Sequence, residues 1–431
     1  MSGLQSAIRD SVLAGFDDQI AFLKDLVACP STRGDEASAQ DAMEAAFAAR
    51  GLSVERWELD AQALSQLSGF SPVSVDYSGM SNVVGTHQPK QQRGRSLILN
   101  GHIDVVPAGP KEFWTSSPYQ PRLEGDWLYG RGAGDMKAGL TANLFALDAL
   151  RRMGFEPAAR IHLQSVVEEE CTGNGALACM ARGYTADAAL IPEPFDQHLV
   201  RANVGTLWFR LKFHGIPVHA LDTGSGSNAI EAASHMIGHL RRLEKDWNSR
   251  KGRHRHFEDH PHPINLNIGK IEGGDWASSV PAWCHLDCRI AIYPGDAARD
   301  AAAEIENFIR NAANDDPRLA GLSPDIEWNG FFAEGYVLEE GSQAEAVLAH
   351  AHETVTEKAL RSVTMPCYLD ARVFAVHQKI PCLVYGPKAE SIHGYDERVS
   401  LSSLRSVTET IALFIAQWCG LNELTKGASR T

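Results

Sequence analysis

Five stretches of the sequence place imidazole or carboxylate groups where a predicted strand ends or a tight turn begins. SLILN runs into GHIDVVP, with His102 and Asp104; RIHLQSVV runs into EEECTGNG, with Glu168, Glu169 and Glu170; DAALIPEP delivers Glu193. Asp135 stands in YGRGAGDMKAG, a glycine-rich turn that opens a helix, and CLVYGP leads on to His393 in SIHGYDERVS. In open α/β sheets the carboxyl ends of the strands are where ligands bind. Any one of these segments alone reads as a solvated acidic face or a structural histidine. Gathered at one sheet edge, the carboxylates repel one another unless cations lie between them, and no Lys or Arg cluster adjoins them. Divalent metal meets that need. Imidazole and carboxylate without thiolate suit zinc, cobalt or manganese and exclude a cysteine-bound structural zinc. His102 and Asp104 face the same way in extended chain, which lets Asp104 orient the imidazole. A pair of divalent ions set against Asp135, Glu170, Glu193 and a bridging hydroxide comes out neutral, leaving a further glutamate free to act as a base.

Such residues need a scaffold of alternating strands and helices. Ile8, Val12, Phe16, Ile20 and Leu23 recur at helical spacing and predict one helix over 6–26. Residues 35–50, rich in Ala, Glu and Met, stop at Gly51, as helices ended by a left-handed glycine do. β-rich runs follow at 52–59, 82–85 and 96–100. A helix at 138–153, a strand at 160–167, a helix at 175–181 and a strand at 188–191 then predict a mostly parallel sheet flanked by helices. Beyond about residue 205 the order becomes strand 207–213, helix 228–243, strands 264–271 and 282–292, helix 299–313 and strand 326–331. That is the β-α-β-β-α-β order of a ferredoxin-like unit. Alternation resumes near residue 344, with a strand at 383–385 and a closing helix at 401–419. The expected fold is α/β: a discontinuous domain of residues 1–205 and 335–431, with an inserted α+β lid of residues 206–334.

The chain has 431 residues, 44% hydrophobic, 22% charged and 8% aromatic. Those values exclude disorder, collagen-like repeats and coiled coil, and allow two or three domains. Lys plus Arg number 40 against 54 Asp plus Glu, a net charge of −14 that repels polyphosphate and anionic lipid. Neither nucleic acid nor membrane is therefore expected as a partner. The 8 cysteines, without a CxxC pair, read as reduced thiols. Arg9, Asp10, Asp17 and Asp18 fall where a signal peptide needs an apolar core, so the expected location is the cytoplasm. GRGAG at 130–134 lacks the GxGxxG spacing, and neither a GxxxxGK[ST] nor a GxSxG motif occurs. Cys171 adjoins Glu170, the wrong neighbour for a thiolate nucleophile. The loop bearing His254, His256, His260 and His262 is interrupted by Pro261 and Pro263 and reads as a polar connection.

The segments GHIDVVP, YGRGAGDMKAG, EEECTGNGA, PEP and SIHGYDE, in this order and at these spacings, resemble a dinuclear zinc aminoacylase, deacetylase and exopeptidase family. Acetylornithine deacetylase, succinyl-diaminopimelate desuccinylase and carboxypeptidase G-type enzymes are among its members, and the likeness covers nearly the whole chain. It implies a zinc exopeptidase-like catalytic domain, a lid that dimerises, and two Zn2+ per subunit, with Co2+ or Mn2+ as substitutes. It implies that His102, Asp135 and Glu193 hold one ion and Asp135, Glu170 and His393 the other, with Asp135 bridging and the Asp135–Met136 peptide cis. Glu169 would be the general base and Glu168 would have no metal role, although three consecutive glutamates leave the register open by one.

The resemblance extends to the lid. GIPVHALDTGSGSNAI is similar to the segment whose histidine, here His219, reaches a neighbouring subunit's site and stabilises the oxyanion, which implies a homodimer. Arg289 falls where the family places an arginine on the substrate carboxylate. Tyr385, Gly386 and Pro387 match a loop that touches substrate, with Lys388 where glycine is expected. Ala277 and Ser278 replace the paired asparagines of the desuccinylases and disfavour that substrate. The implied activity is removal of a small acyl group, acetyl or formyl, from an N-acyl amino acid or related amine. A dipeptidase or carboxypeptidase of the same family, or a catalytically silent metal-binding scaffold, is the alternative.

Overall fold

Leu97–His102 and Ile161–Val166 are buried along their whole length, as strands covered on both faces must be. They form the centre of a six-stranded sheet in the computed structural model, which describes residues 2–424. The spatial order is Ser53–Glu58, Ser81–His87, Ile161–Val166, Leu97–His102, Ala188–Ile191, Cys382–Val384. Pairing is antiparallel for the first two strands and parallel from Ile161–Val166 onward. The sheet is thus mainly parallel, with an antiparallel margin whose outer strand, Ser53–Glu58, is only half-buried. Because the inner strands run the same way, His102, the turn at 167–170 and Pro192–Glu193 all leave the sheet along one edge.

Helices Ala138–Arg152 and Leu401–Trp418 pack on each other and bury most of their side chains. At the N-terminus the single expected helix is two, Ser2–Ala14 and Phe16–Ala28, broken at Gly15. A Cβ at Gly15 would lie 2.2 Å from the Arg152 guanidinium, whose Nε donates to the Ser11 carbonyl. A tertiary contact interrupts a periodicity that continues on both sides of it.

Gly205–His214, Leu266–Gly273, Trp283–Ile292 and Asp325–Ala333 form a second sheet, antiparallel throughout. Their order, with Leu266–Gly273 and Asp325–Ala333 at the edges, is that of a ferredoxin-like unit. Helices Ala229–Asn248 and Ala298–Asp315 pack on this sheet. Asn228 starts the first of them by accepting from the N–H groups of Ile230 and Glu231, which satisfies donors that a helix leaves open. These elements enclose an apolar cluster of their own.

Strands too short to show a period build a third sheet, ordered Ala389–Glu390, Arg398–Ser400, Trp127–Tyr129, Arg122–Glu124. Trp127–Tyr129 leads into the glycine-rich turn, and the hairpin of Ala389–Glu390 and Arg398–Ser400 carries His393. The pairing of Arg398 with Tyr129 therefore brings the loops of Asp135 and His393 side by side. Among the described residues no helix is long and apolar enough to cross a membrane.

His162, buried in Ile161–Val166, has Nδ1 2.9 Å from Thr86 Oγ1 and its ring edge-on to Tyr184. Burial, and then Arg160, brings its pKa down to about 4. The unfolded chain takes up this proton near pH ~6.5. The associated stability is therefore fully present above that pH and is lost as pH falls towards 4. Urea unfolding at pH 7 and pH 4.5 is expected to show the native protein losing about 2 kcal/mol more than His162→Gln over this interval.

Candidate active site

His102 ends its strand and is 1% exposed. Its Nδ1 donates to the main-chain carbonyl of Asp104 at 2.9 Å. A carbonyl only accepts, so Nδ1 carries a proton and Nε2 is turned the other way. Facing Nε2 are Asp135 Oδ1 at 3.1 Å, Glu193 Oε1 at 3.6 Å and Glu169 Oε2 at 3.9 Å. The Asp104 carboxylate, 3.7 Å from Nδ1, is engaged elsewhere: it accepts from the N–H groups of Glu169 at 3.3 Å and Glu170 at 3.0 Å. One residue thus orients the imidazole through its carbonyl and holds the glutamate turn through its side chain.

Asp135 faces two ways. While Oδ1 meets His102, Oδ2 lies 3.5 Å from His393 Nε2, which is itself 3.1 Å from Glu170 Oε1. His102, Asp135 and Glu193 therefore stand on one side, and Asp135, Glu170 and His393 on the other. The Asp135–Met136 peptide is cis. Ligand atoms of His102, Asp135 and Glu170 all fall within 4.8 Å of one another, the one such group found among the described residues. Carboxylate oxygens and imidazole nitrogens aimed at common points, with no thiolate, fit divalent ions of the zinc, cobalt or manganese kind.

The crowding shows in the acidities. Burial depresses the His102 imidazole, but Glu169 and Glu193 outweigh it and hold the pKa well above the usual range. Burial lowers and Glu170 with Asp135 raises His393, to about 11. Burial, joined by repulsion from Asp135, pushes Glu193 well up. Glu169 is pushed well up by burial, against the pull of His102 and with repulsion from Glu193 and Asp370. Glu168 turns away, in the left-handed region at φ 70°, and accepts from Arg33 Nη2, the Tyr77 hydroxyl and Thr172 Oγ1, each at 2.8 Å. Of the three consecutive glutamates, it is Glu169 and Glu170 that face the histidines.

The cluster opens into a cavity of about 470 Å3. Phe195, Trp208, Phe331 and Tyr368 supply aromatic walls, with Asn267 and Arg289 between them. Strand register sets Asn267, Arg289 and Trp208 in one row across three strands. Arg289 reaches Thr206 Oγ1 at 3.4 Å and has no carboxylate partner among the described residues.

Two expected site residues belong neither to the histidine and carboxylate cluster nor to the cavity wall. His219 is exposed at the start of the short helix Ala220–Ser225, where its Nδ1 accepts from the Leu221 N–H at 3.0 Å, so Nε2–H is left as an outward donor. Gly386 sits behind Glu193 rather than at the cavity wall. A Cβ there would lie 2.2 Å from the Glu193 carbonyl oxygen and 2.4 Å from that of Pro192, so the absent side chain is what lets the two segments pass. Cys171 is kept a thiol chiefly by burial. In the histidine-rich loop, His254 stacks on Tyr293 and His262 pairs with Glu244.

Two residues of the site were not legible as such. Lys137, fully buried and brought down to about 8 by burial, donates to the carbonyls of Leu26 and Cys29, both at 2.8 Å, and ties the Asp135 turn to the N-terminal helices. Glu397 bonds to the glycine-rich turn from the segment that carries His393. The only hint of either was its place inside a ligand-bearing motif.

A mainly parallel sheet carrying a carboxylate and imidazole cluster at the ends of its strands defines a metal-dependent hydrolase. Residues 98–417 match the family described as Peptidase family M20/M25/M40, and the chain belongs to that family. It is 30% identical over 394 residues, 86% of each chain, to N-formyl-4-amino-5-aminomethyl-2-methylpyrimidine deformylase from Bacillus subtilis. To acetylornithine deacetylase from Erwinia tasmaniensis it is 30% identical over 328 residues, 75% of this chain and 80% of that one. Its fold is similar to that of the di-peptidase Dug1p from Saccharomyces cerevisiae, with a TM-score of 0.80 at 15% identity, covering 97% of this chain and 99% of the other. The protein is accordingly a metal-dependent amidohydrolase acting on linear amide bonds.

Metal bound at this cluster would have to displace protons from His102 and His393, whose pKa values the neighbouring carboxylates raise. Calorimetric titration with Zn2+ or Co2+, in buffers of differing ionisation heat, is expected to show proton release and tighter binding at pH 8 than at pH 6. Equal affinity at both would count against this cluster as the metal site.

Proposed function

We propose that the protein removes a formyl or acetyl group from an N-acylated amine bound in the 470 Å3 cavity. Two divalent ions, Zn2+ with Co2+ or Mn2+ as substitutes, would be held by His102, Asp135 and Glu193 and by Asp135, Glu170 and His393. The observation that carries this reading is Asp135 set between the two imidazoles, with Glu169 facing the same centre. Bound metal would lower the pKa of water and polarise the amide carbonyl.

The remaining work belongs to the chain. Glu169 lies beyond hydrogen-bonding distance of the imidazole it faces, so its carboxylate is left free to take a proton from water and return it to the leaving amine. Arg289 would meet a carboxylate or another acceptor on the amine portion. The rings of Trp208, Phe331 and Tyr368, packed on one another, offer surface to a planar group. The named activities of the relatives support removal of a small acyl group: one deformylates an aminopyrimidine, the other deacetylates acetylornithine.

Residues 206–334 act in this reading as a lid and dimerisation unit over a catalytic domain of residues 1–205 and 335–431. His219 lies outside its own chain's cavity and is exposed, with Nδ1 engaged by the Leu221 N–H, in a lid whose Leu221 is 82% and Trp276 72% exposed. A homodimer through this face would cover them and deliver the imidazole to the partner's developing oxyanion. The free thiols suit the cytoplasm.

Glu169→Ala is expected to lower kcat by about 10²–10⁴-fold while leaving the metal content, read by elemental analysis, unchanged. A panel of N-formyl, N-acetyl, N-succinyl and dipeptide substrates with added Zn2+ or Co2+ is expected to favour the formyl or acetyl compounds. Silence across the panel would support a scaffold instead, and a near-native rate for Glu169→Ala would overturn the assignment of the base.

A further inference from the structure

We infer that Glu397 is a positioning residue of the metal centre: its carboxylate fills a cradle of main-chain N–H groups in the glycine-rich turn and so sets the place of Asp135 and, through Arg131, that of His393. The inference rests on the metal-centre reading above.

Glu397 is 1% exposed. Its Oε1 accepts from the N–H groups of Gly134 at 2.9 Å and Asp135 at 3.0 Å. Its Oε2 accepts from the N–H of Gly132 at 3.0 Å and from Arg131 Nη1 at 2.6 Å. Converging main-chain donors of this kind, with a left-handed residue among them, are how loops bind phosphate. Gly132 supplies that residue at φ 77°. The glycine-rich turn, which lacks the spacing of a dinucleotide loop, is thus an anion cradle occupied by the chain's own carboxylate.

Arg131 extends the clamp. It is 2% exposed, and its Nη2 donates at 3.0 Å to the carbonyl of Gly394, the residue after His393. The N–H of Gly130 in turn donates to the Glu397 carbonyl at 2.9 Å. A Cβ at Gly134 would lie 2.5 Å from that of Ala389, so the turn approaches the His393 hairpin as closely as a glycine allows. His102 is rooted in the central sheet, whereas Asp135 and His393 stand on loops. Their spacing is set by this clamp and by the short strands beside it. Coordination tolerates displacements of about 0.2 Å, so loosening the clamp should be felt first in metal affinity.

The test uses the full-length apo-protein titrated with Co2+ and followed by calorimetry and by the visible absorption of the bound ion. Glu397→Gln turns one acceptor oxygen into a donor facing Arg131 and the Gly132 N–H. It is expected to weaken Co2+ binding by about 10–100-fold, to alter the absorption spectrum, and to lower kcat with KM within about twofold of native. Glu397→Asp, which keeps the charge on a shorter arm, is expected to recover part of the affinity. Arg131→Lys, which loses the link to Gly394, should weaken binding less than Glu397→Gln. A purely architectural role would lower the unfolding midpoint but leave the affinity and spectrum of the folded protein native, and that result overturns the inference. Should Glu397→Gln fail to fold, native Co2+ affinity in both of the other variants overturns it equally. Failure of the unaltered protein to bind Co2+ would sink the metal-centre reading itself, an outcome kept apart from loss of the clamp by that same control.

Discussion

Acidic side chains withdrawn from water and pressed against one another are the constraint around which this molecule is arranged. Asp104, Asp135, Glu169, Glu170 and Glu193 gather within a few ångströms of two imidazoles. Buried like charges of this kind persist only with cations, protons or converging hydrogen-bond donors. Donors and cationic side chains are both present. Asp104 takes two main-chain N–H groups, and Glu397 takes three together with an arginine. Glu168 has Arg33 and two hydroxyls. The carboxylates left without such donors are those facing the histidines, which is where a metal-dependent hydrolase needs its charge.

The fold meets the constraint with different degrees of rigidity. His102 and Glu193 leave strands of the central parallel sheet directly, and their positions follow from buried apolar packing. The turn of Glu169 and Glu170 leaves the same sheet and is pinned by Asp104. Asp135 and His393 are held by loops that a small antiparallel sheet draws together. Catalytic side chains on loops braced by a rigid scaffold are a common solution. What is particular here is that the bracing groups, Asp104 and Glu397, are carboxylates themselves.

The main outline was legible in the sequence because burial leaves a period. The expected strands at 96–100, 160–167 and 188–191, the helix from Ala138 and the β-α-β-β-α-β order of residues 206–334 all carry patterns that the structure reproduces to within a few residues. The ligand-type residues were legible because imidazole and carboxylate recur at the ends of those runs. The break at Gly15 was hidden because its cause, Arg152, is remote in sequence. Strands of two or three residues carry no period, so the sheet that unites the loops of Asp135 and His393 could not be seen. The placing of Gly386 was hidden for a like reason: a glycine shows in sequence that room is needed, not whose backbone needs it. Asp104 is instructive in another way, since its spacing from His102 pointed to the right neighbour but not to the atom that makes the contact.

The order of the proposed ligands along the chain has a consequence for biosynthesis. His102, Asp135, Glu170 and Glu193 all precede the inserted unit, and His393 follows it, in a hairpin beyond the last strand of the central sheet. A chain growing from its N-terminus therefore exposes an acidic, half-built centre throughout the synthesis of the insertion. Only when the final segment emerges can Cys382–Val384 join the sheet edge and Glu397 enter its cradle. Closure of the proposed metal centre is thus a late event in the life of the polypeptide, and a prematurely ended chain would hold most of the residues proposed as ligands without the means to align them.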